Sequence, residues 1–226
     1  MRDLLVITPT RGRLASAQRL ISALDVTAKA ETDLVLAVDD DDASYAGLEF
    51  APDRVRIARG PRATCGEWTN RIAARFGSDY RALASLGDDH LPRTPGWDTL
   101  LLGAIDDMGG TGFAYGDDTA QHESLPTAPV MSSNIVAALG WMFHPTMGHF
   151  FCDNCWLDLG REAGCIRYVP EVVIEHLHYA FRTAPVDATY GEAAPAWAHD
   201  EQAYHAWRRA GLDADAGKIR ALREAG

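Results

Sequence analysis

Short apolar runs of strand length alternate with stretches of helical periodicity through the first half of the chain. The runs are 3–9 (DLLVITP), 33–38 (DLVLAV), 54–58 (RVRIA) and 81–87 (RALASLG). Between them, 13–24 (RLASAQRLISAL) sets Leu14, Ala17, Leu20, Ile21 and Leu24 at helical spacing, and 66–76 (GEWTNRIAARF) and 96–107 (GWDTLLLGAIDD) follow suit. Unbroken apolar runs suit strands covered on both faces, and strands separated by helices pair in parallel through right-handed crossovers. The pattern predicts an α/β fold: an open, mostly parallel sheet flanked by helices.

The second half is less regular. Short strands are expected at 112–115 and 127–132, helices at 133–140 and 153–163, and a late strand at 166–175 interrupted by Pro170. Residues 180–198, rich in Ala, Pro and Thr, read as a mobile loop, and 199–210 and 214–225 as terminal helices. One domain over 1–226 is the simplest organisation, since 226 residues with 47% hydrophobic content can bury a sizeable core.

Composition removes several function classes. The net charge of −11 disfavours a broad phosphate-binding surface, so duplex nucleic acid is a poor partner. No apolar run approaches the ~20 residues of a membrane helix, and the N-terminus lacks a small-residue cleavage site, so a cytoplasmic protein without a membrane span is expected. Cys152-Asp-Asn-Cys155 has the spacing of zinc and redox sites, but Cys65 and Cys165 stand alone, so buried thiols are the default. Neither GxxxxGK[ST] nor GxGxxG occurs, which argues against a P-loop hydrolase and a conventional dinucleotide dehydrogenase.

In an open α/β sheet, ligands bind at the carboxyl ends of the strands. There the sequence places Thr8-Pro-Thr-Arg-Gly-Arg13, Asp39-Asp-Asp-Asp42, Gly87-Asp-Asp-His90 and Gly116-Asp-Asp118. A single Asp pair usually caps a helix or fills a turn. Several along one rim repel, and a cation or a set of hydroxyls relieves them. Oxygen ligands suit Mg²⁺ or Mn²⁺, and an added imidazole leans towards Mn²⁺. Because Mg²⁺ completes its shell with water and phosphate oxygens, the implied ligand is a metal-bound phosphate or diphosphate.

These segments, in order over about residues 4–178, resemble the GT-A glycosyltransferases of the family 2 type, as found in small phage and bacterial proteins. The matching stretches are ITPTRGR, AVDDDD, GEWTNRIA, SLGDDHLPRTPGW, HFFCDNCWLDLGREAG and VVIEHLH. The resemblance implies a Rossmann-like GT-A fold, with a nucleotide-binding half (1–110), an acceptor-side half (111–180), and a mobile loop with C-terminal helices (181–226). It implies a metal-dependent transfer of a sugar from a UDP- or GDP-sugar to an acceptor hydroxyl. That acceptor would be a protein, a glycan, a lipid-linked sugar or a modified DNA base.

By the same resemblance Pro9, Thr10 and Arg11 border the base and diphosphate, Asp39 and Asp40 accept from the base, and Arg62 and Asn70 lie near the nucleotide. Asp88 meets the ribose or sugar, Asp89 coordinates the metal, and a histidine closing the last strand adds a ligand, His178 in preference to His176. Gly87 stands where the Asp-x-Asp pattern has its first acid. Asp153 is the base of an inverting transfer, or else the N-cap of the helix that follows it. Tyr115 and Asp117 line the donor-sugar pocket, and Trp141 and Trp156 the acceptor side. Two further readings share the fold: a sugar-phosphate nucleotidyltransferase, against which the single glycine of TPTRGR counts, and a non-catalytic nucleotide-sugar-binding protein.

Overall fold

The computed structural model describes residues 1–47, 54–178, 183, 191–192 and 194–225. In chain order the elements are β1 (Arg2–Pro9), α1 (Leu14–Thr27), β2 (Thr32–Asp39), β3 (Val55–Gly60), α2 (Cys65–Phe76), β4 (Tyr80–Ser85), β5 (His90–Pro92) and α3 (Trp97–Asp106). They continue with β6 (Phe113–Asp117), β7 (Val130–Ser132), α4 (Ser133–Leu139), α5 (Cys152–Glu162), β8 (Ile166–His176), α6 (Trp197–Ala210) and α7 (Leu212–Ala225). Every strand and helix expected from the sequence is present within a few residues. Only β5 was not foreseen, because three residues are too few to show a period.

The eight strands lie in the order β3-β2-β1-β4-β7-β6-β8-β5. β1 pairs in parallel with β2 and β4, β2 with β3, and β6 with β8. β7 runs antiparallel to β4 and β6, and β5 antiparallel to β8. Since β7 is antiparallel to both neighbours, β4 and β6 point the same way. The carboxyl ends of β1, β2, β4, β6 and β8 therefore share one edge, and the acidic strand ends meet there.

The continuous apolar strands have the predicted cause. Leu5 and Ile7 of β1 enter one core with Trp68, Ile72, Ile135, Trp156, Tyr204 and Trp207. Leu4 and Val6 enter the opposite core with Leu20, Leu24, Trp97, Leu101 and Ile105. Alternate side chains thus bury against α2 and α4–α7 on one face and α1 and α3 on the other.

Local rules set the boundaries near the site. α2 opens on a capping box in which Thr64 and Glu67 satisfy each other's backbone N–H groups. Pro170 lies where β8 shifts register against β6, with Gly116 opposite Val169 but Asp117 opposite Val173. A proline has no N–H to give the ladder, so it belongs at such an irregularity. The shift swings the end of β8 over the acidic edge and delivers His176 to it. His90 of β5 lies directly opposite His176.

Candidate functional site

The site is built on the residues just beyond β4. Thr10, following β1, donates to Asp88 at 2.6 Å and shares a hydrogen bond of 2.8 Å with the Tyr45 hydroxyl. Arg13, just before α1, places Nη1 3.3 Å from Asp88 Oδ1 and 3.5 Å from Asp89 Oδ2. Both acids are thereby held against one guanidinium. Burial pushes Asp88 up to about 6, helped by the charge of Asp89 and opposed by Thr10 and Arg13. Burial also raises Asp89, but its hydrogen bond with His90 and the charges of His90, His176 and Arg13 win. Asp89 ends well below the usual carboxylate range. Two adjacent acids with diverging proton affinities mark a functional site more often than a structural one.

Asp89, His90 and His176 gather at one point. A ligand atom from each lies within 4.8 Å of the others. Asp89 Oδ1 is 3.5 Å from His90 Nδ1 and 3.7 Å from His176 Nε2. The two imidazoles stack at 4.0 Å with planes 19° apart. His90 Nδ1 accepts from the Gly87 backbone at 2.9 Å, while its buried Nε2 has no partner among the described residues. Burial, then the neighbouring His90, holds His176 down to about 3, so its ring is neutral at pH 7 as a metal ligand must be. His178 lies one step further out, its ring 5.1 Å from that of His176.

Gly87 follows from this clustering. A Cβ there would sit 2.5 Å from Asp89 Oδ1 and 2.9 Å from His90 Nδ1. The space an aspartate would use at the first position of Asp-x-Asp holds the side chains of the next two acid and imidazole groups instead.

The residues expected at the nucleotide divide into two groups. Arg11 reaches Asp39 at 3.0 Å, Asp41 at 2.5 Å and Glu192 at 3.7 Å, and Arg62 reaches Glu192 at 2.6 Å. These cations, with Thr10 and the exposed Asp40, lie at the open edge beside Pro9. Asp39 is buried, and its Oδ1 takes the Trp68 indole N–H at 2.7 Å and the Ala63 N–H at 3.2 Å. Asn70 points elsewhere: its amide donates to the Phe143 carbonyl at 2.7 Å and accepts from Met142 and Phe143 at 2.8 and 2.9 Å. It fastens the loop before α5 to α2.

Of the residues expected on the sugar and acceptor side, Asp153 sits in the first turn of α5, whose N-cap is Phe151. The side chain accepts from Asn154 N–H at 2.9 Å. Burial pushes Asp153 up to about 6, and it feels the charges of His90 and Asp118. Trp156 is in the core, its indole N–H on the Met142 carbonyl at 2.7 Å. Trp141 is also buried, edge-on to His144 at 5.0 Å. Tyr115 is buried with its hydroxyl on the Glu123 carbonyl at 2.8 Å, and Asp117 pairs with His122 at 2.9 Å. The four cysteines are free thiols, and no cysteine joins a metal-competent group among the described residues. Most of the loop expected at 180–198 lies outside the described residues.

Three residues of the site escaped sequence reasoning. Arg13 closes the segment TPTRGR, and its place after β1 was the available signal. His90 was open between a residue behind the metal ligands and the next residue of a turn, because β5 is so short. Glu192 carried no local signal at all.

No protein-family model and no curated protein matches the chain. Solved structures do. TarS of S. aureus, residues 1–349 in complex with UDP-GlcNAc, aligns at a TM-score of 0.59 with 10% identity over 76% of this chain and 57% of that one. The mannosyltransferase PcManGT of Pyrobaculum calidifontis, with GDP-Man and Mn²⁺, aligns at 0.57 with 10% identity over 100% of this chain and 78% of that one. GalNAc-T7 with UDP, GalNAc and Mn²⁺ aligns at 0.64 with 9% identity over 79% and 44%. The chain spans 36% of the longer TarS structure. With this strand order and these neighbours, the chain has the GT-A fold.

Proposed function

We propose that the protein is a metal-dependent, inverting glycosyltransferase that moves a sugar from a UDP- or GDP-sugar to an acceptor hydroxyl. One observation carries the reading: a carboxylate and two imidazoles converge at the acidic sheet edge, with a second, buried carboxylate, Asp153, within electrostatic reach of the same imidazole. The solved structures bound to UDP-GlcNAc, GDP-Man or UDP support a nucleotide-sugar donor.

The donor set fits a divalent ion. One carboxylate and two imidazoles favour Mn²⁺ over Mg²⁺, which prefers oxygen alone. Asp89, His90 and His176 would hold it, His176 standing in for His178 because its Nε2 lies 3.7 Å from Asp89 Oδ1 and it gathers with His90. When bound, the ion neutralises charge growing on the departing diphosphate.

The remaining roles belong to the chain. Arg11, Arg62 and Arg13 supply cations to the phosphates, with Pro9 and Thr10 at the base and ribose. Asp88, held by Thr10 and Arg13, orients the donor hydroxyls, and Asp40 offers an open acceptor for the base. Tyr115 and Asp117 sit beside the donor sugar. Asp153 takes the proton of the acceptor hydroxyl as that oxygen attacks the anomeric carbon opposite the diphosphate. A proton affinity near 6 suits this task, because the group is ionised at neutral pH yet basic enough to accept.

The deciding experiment is a donor screen with Mn²⁺, read as released nucleoside diphosphate and as calorimetric binding. Expected are Mn²⁺-dependent binding of one donor and its loss in Asp89→Asn. No binding of any UDP- or GDP-sugar with metal present would sink the reading. Pyrophosphate release from a sugar phosphate and a nucleoside triphosphate would replace it with nucleotidyl transfer.

A further inference from the structure

We infer that Trp197, with Phe150 and Phe151, forms the acceptor subsite, and that the acceptor it holds is a neutral sugar ring. This rests on the transferase reading above and names the substrate class of its second half.

The loop 148–151 joins the metal side of the site to α5. His149 feels the charges of Asp200, Arg13, Asp89 and His178, so it faces the donor side. The next two residues turn to α6: Trp197 lies 4.9 Å from the Phe150 ring and 5.0 Å from the Phe151 ring. Asp153 follows two residues after Phe151. The aromatic cluster and the proposed base are thus on one short piece of backbone.

Two features show that this piece is held in a conformation it would not choose. Phe151 has φ 64 and ψ 8, the left-handed region that bulky residues avoid. Strained backbone of this kind persists where surrounding structure over-determines it, and it concentrates at functional sites. Here the surrounding structure is Asp200, whose buried carboxylate accepts from the N–H groups of Gly148, His149 and Phe150 at 3.0, 2.8 and 2.9 Å. Tyr204 adds a ring stacked on Phe151 at 5.4 Å and 18°.

Trp197 is the aromatic left outside. It is 50% exposed and is the one aromatic among the exposed large hydrophobic residues of the described chain. A pyranose offers an apolar C–H face to such a ring and hydroxyls at its rim, one of which would meet Asp153. A nucleobase would also stack, and competition by an oligothymidylate decides between the two. A neutral saccharide fits both the aromatic face and the acidic surroundings.

The test is saturation-transfer NMR on the full chain, with the methyl glycosides of glucose, galactose, mannose and N-acetylglucosamine as probes at millimolar concentration. At least one should receive saturation at its ring C–H protons. That signal should fall at least about tenfold in Trp197→Ala and return in Trp197→Phe, with all three proteins melting at the same temperature. No signal from any glycoside, or a signal undiminished in Trp197→Ala, overturns the subsite. Displacement of the glycoside by a short oligothymidylate overturns its assignment to sugar. Calorimetry of UDP and GDP with Mn²⁺ separates the two readings: sugar binding at Trp197 without nucleotide binding overturns the acceptor role and the transferase together. Nucleotide binding without sugar binding overturns the subsite alone.

Discussion

Gly87 is small because its neighbours fill the space a side chain would take. Adding one methyl there forces Asp89 and His90 apart. Gly87→Ala should therefore weaken Mn²⁺ binding at least about tenfold by calorimetry and cost about 1–3 kcal/mol in a urea melt. A variant that keeps wild-type affinity would mean that the clustered geometry is irrelevant to the ion. Asp153 carries a different prediction. Its carboxyl binds a proton near 6 in the folded chain against 3.8 ordinarily, because burial penalises the charge. As a base it must be ionised, so transfer at saturating donor should fall about tenfold per pH unit below about 6. The same shift acts on stability. Between 3.8 and about 6 the native state holds the proton that the unfolded state has lost. Stability therefore declines as pH rises through that window, and the full cost persists above it. Asp153→Asn should melt higher than wild type at pH 7.5, by up to about 3 kcal/mol, and the gap should close near pH 4. The variant should still bind donor while losing transfer.

At the scale of elements, buried aspartates fasten loops to helices. Asp98 in the first turn of α3 accepts from Lys29, Ala30 and Thr99 backbone N–H groups and from the Thr32 hydroxyl, tying the α1–β2 connection down. Asp200 of α6 does the same for loop 148–150. Burial raises Asp200, but the Phe150, His149 and Gly148 N–H groups with His199 outweigh it and hold the carboxyl below its ordinary range. Its contribution is therefore present at neutral pH and disappears as pH falls through the lowered value. Asp200→Ala should cost about 2–4 kcal/mol by chemical denaturation at pH 7, since three N–H groups lose a charged acceptor, with a smaller loss in strong acid. It should also depress transfer more than donor binding, because the loop it holds leads into Asp153. An effect confined to stability would separate α6 from the site. β5 has only three residues and yet a large local consequence. Its three residues pair with the end of β8 and so fix one imidazole against the other.

For the molecule as a whole, the site exists only when strands distant in sequence are side by side. Asp89 and His176 come from segments far apart in the sequence, after β4 and at the end of β8, so an ion bound by both links folding to binding. Mn²⁺ at about a hundred times its dissociation constant should stabilise the folded protein by about 2.7 kcal/mol. A thermal melt should show this for wild type and not for Asp89→Asn, with a weaker effect from Mg²⁺. An equal shift in both proteins would place the ion elsewhere. Among the described residues no helix is long and apolar enough to cross a membrane.

Much of this architecture was legible in the residues. Apolar runs such as LLVI and LVLAV suit strands covered on both faces, and the helices between them favour parallel pairing with the acids at one edge. Asp89 and Asp153 stood out as candidates because carboxylates in that order occur in a family pattern. Periodicity is a local signal, and it reports what each segment buries. It does not report which segments meet. The tertiary structure set His176 Nε2 3.7 Å from Asp89 and gathered both with His90. It turned Asn70 and Trp156 inward to hold a loop and a core, and brought Trp197 against Phe151. Each of these depends on register between strands or on contacts from α6 to the centre of the chain. A single residue of slip or one bulge at Pro170 changes which side chains converge, and no spacing within a segment encodes that.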